Sequence, residues 1–349
     1  MQLITTVGDP CRQRLECQVA LRVFPGHIPF RKLHQEIEKI HSSKSELPII
    51  ETMSMIQIEA RNNEFLDADE DSLYHLGLKK TPQRLHQLQE MFGSVKYVCM
   101  GGSPERAMTF GNKAAVELGI PKSEGGIQAI GKTERCHMFV VGPILSISHG
   151  MGMPSISIFL HEVTKLLDYS GCTDVKFIRI GTSGGVGVEG GTVVITENAI
   201  NAKLEPTHTK TMLGQDHSFP TQLNGPLAQD LLAASEGIET VMGNTMGTDD
   251  FYEGQGRRDG ALKPPYSIQD RMEFLQKIHD QAGVRNIEME STEFAAFCNR
   301  AGIPGAIVCV ALLNRLKGDQ VESSPEQLAQ YSDNAQAVVI NYIRKQLGR

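Results

Sequence analysis

Arg179 sits in the segment VKFIRIGTSGG, with Phe177, Ile178 and Ile180 around it and small residues behind it. A guanidinium at the end of a buried strand costs several kcal/mol, roughly, unless an anion or a dense set of hydrogen bonds compensates it. The glycines let backbone N–H groups approach a ligand, and Thr182 and Ser183 add hydroxyls, so the segment reads as an oxyanion cradle. The alternative is that Arg179 pairs with an internal carboxylate and the glycines only make a turn. GGSPER (101–106) is a second strand end running into glycines. Pro104 suits a helix start, and Arg106 in the first turn is opposed by the helix dipole unless an anion lies between them. GKTER supplies a third arginine, Arg135. Three guanidinium forks suit a tetrahedral dianion, although each alone reads more simply as a solvated surface charge.

NIEMES places Glu288, Met289 and Glu290 at another strand end, and a period of two sends both carboxylates to one side. A carboxylate there can accept two hydrogen bonds from a vicinal diol; the alternative is a cap for the helix that follows. FYEGQGR (251–257) sets Glu253, Gln255 and Arg257 one glycine apart, directly after an aromatic pair. So many polar groups on so short a loop call for a polar ligand edge.

These residues need a frame. From about Asp69 onward, short apolar runs alternate with helical patterns, the mark of an α/β sheet with covering helices. Strands are expected at 95–102, 137–150, 175–185, 192–200, 286–291 and 306–314. A helix should follow Pro154, with Ile156, Phe159, Leu160, Val163, Leu166 and Leu167 on its buried face and Gly171 as its stop. Another opens after NIEMES and ends near Gly302. Strand-to-helix junctions of this kind are where α/β sheets hold ligands. Residues 1–65 differ in character, with a helical pattern near 30–40, and are read as an extension of unknown role; residues 66–349 are read as the catalytic domain.

The 349-residue chain is 40% hydrophobic, enough for a sizeable core, and carries a net charge of −7, which argues against nucleic-acid and anionic-membrane partners. The apolar run at 301–313 is shorter than the roughly 20 residues a membrane span needs. Its opening residues lack a signal-peptide pattern, and the seven cysteines are scattered with no CxxC pair, so a reducing cytoplasm is expected.

Taken together, GGSPER, SHGMGMPSISI, IRIGTSGG, GTVVITE, NTMGTDDFYEGQGRRDGA, VRNIEMES and LLNRLKGDQ resemble the uridine phosphorylases, in particular the branch found in animals, over residues 69–349. The resemblance implies a three-layer α/β/α nucleoside phosphorylase fold around a mixed, twisted sheet, assembled at least as a homodimer. It implies phosphate at Gly102, Arg106, Arg135, Arg179, Ile180, Gly181 and Thr182. It implies the nucleoside at Thr182, Ser183, Gly184, Phe251, Gln255, Arg257, Met289 and Glu290, and His75 reaching across the dimer to the sugar 5′-hydroxyl. Arg106, Arg179, Gln255, Arg257 and Glu290 would carry catalysis. Leu312 and Leu313 should border uracil C5.

A base edge with an N–H between two carbonyls then explains the glycine-spaced loop. The Gln255 amide can accept from uracil N3–H and donate to a neighbouring carbonyl, Arg257 can donate to O4, and Phe251 can pack on the ring. Glu253 is expected to be structural, orienting Arg257. The implied reaction is phosphorolysis of uridine, and of deoxyuridine, to uracil and the pentose 1-phosphate, with phosphate as co-substrate and no metal or other cofactor. A water-using nucleosidase and a silent nucleoside-binding relative are the rivals. Cys136, beside Arg135, stands where the resemblance leads one to expect an aromatic residue, which raises a redox effect on phosphate affinity.

Overall fold

The computed structural model describes residues 63, 66–121, 126–131, 133–134 and 136–349. The expected extension at 1–65, residue 63 excepted, with its helical pattern, and Arg135, therefore lie outside the described residues. Ile56–Arg349 makes up one compact unit.

Twelve strands are formed among the described residues: β1 (Asp71–Leu73), β2 (Leu78–Lys80), β3 (Tyr97–Gly101), β4 (Met138–Val141), β5 (Ile144–Ser148), β6 (Lys176–Gly185), β7 (Val193–Ile200), β8 (Thr207–Met212), β9 (Gln215–Pro220), β10 (Thr240–Gly247), β11 (Val284–Glu288) and β12 (Gly305–Asn314). Seven α-helices accompany them: α1 (Leu85–Phe92), α2 (Pro104–Glu117), α3 (Met153–Tyr169), α4 (Gly225–Leu232), α5 (Ile268–Ala282), α6 (Ser291–Ala301) and α7 (Pro325–Gln346). Eight strands make one sheet in the order β11-β10-β7-β12-β6-β3-β5-β4, while β1–β2 and β8–β9 are separate hairpins. The sheet is mixed, since β12 runs parallel to β6 and antiparallel to β7.

Its alternating faces explain the layers. Val98, Met100, Phe177, Ile307 and Cys309 face a core shared with Phe159 and Leu160 of α3 and Phe294 of α6. Their neighbours Cys99, Ile178 and Val308 face the opposite core, with Phe110 of α2, Leu231 of α4 and Val339 of α7. Each such side chain taken out of water contributes about 1.5–3 kcal/mol, so the two faces together fix the sheet between its helices. The expected three-layer fold is what forms.

The helix signals act as written. Ser103 caps α2, accepting from Arg106 N at 3.3 Å, with Pro104 in its first turn. The helix after Pro154 and the one after NIEMES both form, and Gly302, at φ 64°, ends the latter in the left-handed region that favours glycine. The single strand expected at 137–150 is instead a hairpin, because Gly142 and Pro143 turn the chain between β4 and β5. The strand expected at 286–291 starts earlier and stops at Glu288.

One feature of the sheet sets up the site. Beyond its neighbour β10, β11 also pairs antiparallel with β6 at Asn286↔Gly185 and Ile287↔Gly184. The sheet thus curls until the ends of β6 and β11 meet. Arg179 and the two glutamates that follow Ile287 are brought together by that closure.

Candidate active site

A cavity of about 270 Å³ opens where these strand ends converge, lined at one end by Gly102, Arg106, Arg179 and Thr182 and at the other by Phe251, Gln255 and Arg257. Ser183, Gly184, Gly181, Met289, Glu290, Leu312 and Leu313 also line it. Sequence reasoning placed all of these at the site, and the fold brings them into one chamber.

At the arginine end, Arg179 is 3% exposed. Its Nη2 donates to Glu290 Oε2 and lies 3.0 Å from Glu288 Oε2, while Nη1 donates to Cys309 Sγ at 3.0 Å. The internal-carboxylate alternative for Arg179 therefore holds, with two partners, and it coexists with the cradle. Burial disfavours the guanidinium charge, but Glu288 and Glu290 outweigh it and hold the group above its ordinary value. Arg179 Nε has no hydrogen-bond partner among the described residues, a buried donor left for a ligand. Gly181 is required here because an added Cβ would stand 2.6 Å from Arg179 Nη1.

Arg106 reaches the same place from the first turn of α2, donating through Nε to Ser103 Oγ at 3.2 Å and through Nη1 to Thr182 Oγ1 at 3.3 Å. Burial and the like charge of Arg179 both push its pKa down. Arg179 is matched by its two carboxylates, and Arg106 adds a second guanidinium facing the same chamber, whose N–H donors suit it to an anion. Ile180 turns its side chain to the opposite core, so only its backbone is left for the role expected of it. Ser183 lines the chamber with its hydroxyl already engaged by the sheet, donating to Val310 O at 3.2 Å and accepting from Asn286 Nδ2 at 2.9 Å.

The capping reading of NIEMES is realised on Glu288, which leaves Glu290 as the carboxylate facing the chamber. Glu288 acts as the cap, accepting from Glu290 N at 2.9 Å and Ser291 N at 2.8 Å. Glu290 stands at the junction with α6, accepts from Gly152 N and from Arg179, and lines the chamber. Burial works against its charge, but Arg179 holds its pKa below the ordinary value, so it is an ionised acceptor.

At the loop end, Gln255 closes a 3₁₀ turn over Glu253–Gln255, and Gly256, at φ 69°, supplies the left-handed residue that lets the chain turn back. Gln255 is 4% exposed. Arg315 donates through Nη1 to Gln255 Oε1 at 3.3 Å and through Nη2 to Gln255 O at 2.8 Å. Arg315 is itself held by Asp319, whose Oδ1 accepts from Arg315 Nε at 2.7 Å. This fixes which way the amide faces, leaving Nε2 to donate and one lone pair of Oε1 to accept. Arg257 is oriented by Asp259, not by Glu253 as expected: Nε donates to Asp259 Oδ1 at 2.9 Å, and Nη2 donates to Asp259 and, at 3.1 Å, to Asp319 O. The 3₁₀ turn separates Glu253 from Arg257, while the chain beyond Gly256 carries Asp259 back to it. Phe251 stacks 4.6 Å from the Arg257 guanidinium.

His75, expected at a neighbouring subunit's site, does not line the chamber of its own chain; its Nδ1 lies 2.7 Å from Glu162 Oε1, and its backbone N donates to the same carboxylate. One expectation falls away. Cys136 is 2% exposed and burial pushes its thiol up to about 12, so almost no reactive thiolate exists at neutral pH and the redox reading has no physical support. His149 and Arg315 were missed, and both line the chamber. Arg315 carries the same signal as Arg179, an arginine ending an apolar strand; His149 follows one in SISHG and carries no distinguishing spacing.

Residues 96–344 match the family described as the phosphorylase superfamily. Uridine phosphorylase 2 of Mus musculus is 46% identical over 291 residues, covering 82% of this chain and 89% of that protein. A solved uridine phosphorylase of the oomycete Phytophthora capsici superposes with a TM-score of 0.77 at 46% identity, covering 82% of this chain and 97% of that one. The Schistosoma mansoni uridine phosphorylase solved in complex with uracil has a TM-score of 0.76 at 37% identity, covering 82% and 99%.

Proposed function

From a chain that belongs to the phosphorylase superfamily, we propose a uridine phosphorylase, which converts uridine or deoxyuridine and inorganic phosphate reversibly to uracil and the pentose 1-phosphate. The observation that carries the reading is that a single chamber holds an anion-seeking end, an amide locked by Arg315 and the ionised Glu290. Phosphate, a uracil edge and a ribose diol call for those groups.

The chemistry follows from where charge develops. As C1′ parts from N1, the sugar gains oxocarbenium character and the base gains negative charge, so preorganised donors at the base lower the barrier most. Gln255 and Arg257 are those donors, each held in place before substrate arrives by Arg315 and Asp259. Arg106 and Arg179, with Arg135 in the same role, hold phosphate against C1′, which makes the attack effectively unimolecular. Glu290 accepts from the ribose hydroxyls. Leu312 and Leu313 border the uracil ring and limit what C5 can carry.

The same reading makes the working enzyme a homodimer in the cytoplasm, serving pyrimidine salvage, with His75 of one subunit reaching the sugar end of the next. It requires phosphate as co-substrate and no other cofactor. No helix among the described residues is long and apolar enough to cross a membrane.

The test is the identity of the sugar product when the full chain is incubated with uridine and phosphate. Ribose 1-phosphate supports the proposal; free ribose formed equally well without phosphate would mean a nucleosidase, and no uracil in either condition would mean a silent relative.

A further inference from the structure

The group in the chamber that the reaction as described leaves unused is His149. It is 1% exposed, and its backbone is pinned on both sides, N donating to Gly101 O at 2.8 Å and O accepting from Ser155 Oγ at 2.7 Å. Its ring lines the cavity beside Arg106, Arg179 and Glu290, and neither ring nitrogen has a hydrogen-bond partner among the described residues. Two buried, unpaired polar atoms in one side chain are costly unless a ligand completes them.

The surrounding groups define what is lacking. Arg106 and Arg179 offer donors and no acceptor. The oxygens of Glu288 already accept from Arg179, Glu290 N and Ser291 N, those of Glu290 accept from Arg179 and Gly152 N and keep their remaining capacity for the ribose hydroxyls, and Thr182 Oγ1 accepts from Arg106. Hydrogenphosphate brings one hydroxyl that must itself donate. A ring held neutral by burial and by Arg179, with its pKa lowered to about 3, keeps one nitrogen lone pair free at neutral pH. In either neutral tautomer one ring nitrogen donates and the other accepts.

We propose that His149 accepts the hydrogen bond from the hydroxyl of hydrogenphosphate, and that this makes the arginine end select hydrogenphosphate over sulfate. Sulfate has the same shape and charge but no hydroxyl, so it would set an oxygen lone pair against the imidazole lone pair. The inference rests on the reading of this end as the phosphate site.

Calorimetric titration of the full chain with phosphate, arsenate, sulfate and selenate, at pH 8 and constant ionic strength, tests it. The two anions that keep a hydroxyl should bind at least about tenfold tighter than the two that have none. His149→Leu should bring phosphate and sulfate within about threefold of each other by weakening phosphate, and His149→Gln, which keeps an acceptor, should retain most of the preference. Sulfate or selenate binding the wild type as tightly as phosphate, or a preference that survives in His149→Leu, would overturn the proposal; the wild-type series decides even if the leucine variant does not fold. Uracil release is measured separately. A chain with the expected anion order that releases no uracil refutes the phosphorylase reading alone, and a turning-over chain that does not distinguish the anions refutes the role of His149 alone.

Discussion

The two ends of the chamber are built by different means. At the arginine end Arg179 stands inside β6, not at its end as expected, while Glu290 follows β11 and Arg106 opens α2, and Arg179 is buried against Glu288 and Glu290 before any ligand arrives. At the loop end the reader hangs on a 3₁₀ turn, with Phe251 42% exposed and Arg257 tied to the neighbouring Asp259. The first end is part of the protein's core and the second rests upon it. Damage at the arginine end should therefore cost stability as well as chemistry, whereas damage at the loop end should cost chemistry alone.

Arg179→Met is expected to have the largest effect. It removes the central anion donor and leaves two buried carboxylates without their cation, which should destabilise the fold by about 3–5 kcal/mol in chemical denaturation and lower uracil release about 10³-fold. A variant as stable as the wild type would break the contrast, since the ion cluster would then not be structural. Gln255→Leu comes next. The loss of a paired acceptor and donor should reduce kcat/KM for uridine about 10²-fold or more, with phosphate KM within about twofold of wild type. Equal changes in both constants would mean that the ends are not separable.

Asp259→Asn should be the mildest, lowering kcat/KM about three- to tenfold at neutral pH while thermal stability stays unchanged, because it loosens Arg257 without unpairing a buried charge. The pH dependence sharpens this. The hydrogen bond from Arg257 holds Asp259 below the ordinary aspartate range, so its contribution is present above the unfolded value of about 3.9 and is lost only as pH falls through the lower folded value. A rate profile should thus show no acid limb from Asp259 above about pH 4. An acid limb that appears in the wild type and disappears in Asp259→Asn would contradict the assignment.

How much of this could be read in the sequence follows from the same contrast. Arg106 and Glu290 were legible because each sets a charge at a helix start or just past a strand end, and Arg179 because a guanidinium inside an apolar strand cannot be buried uncompensated. The sheet with covering helices followed from periodicity and its three layers from the family resemblance, whereas β10 was missed because glycine and asparagine interrupt TVMGNTMG, and the hairpin at 138–148 was missed although Gly142 and Pro143 announced it. The loop end was legible in composition and not in partnership. Which carboxylate meets Arg257 depends on where the chain turns at Gly256, and the positioning of Gln255 by Arg315 joins residues 60 positions apart. His149 left no trace, since a buried histidine after an apolar run looks the same whether or not its nitrogens are paired.

The most direct test of the separation between the two ends is Arg257→Ala in the full chain, with uridine turnover and calorimetric phosphate affinity measured on the same preparation. Turnover about 10²-fold lower, with phosphate affinity within about twofold of wild type, is the predicted result. Losses of equal size in both would contradict it.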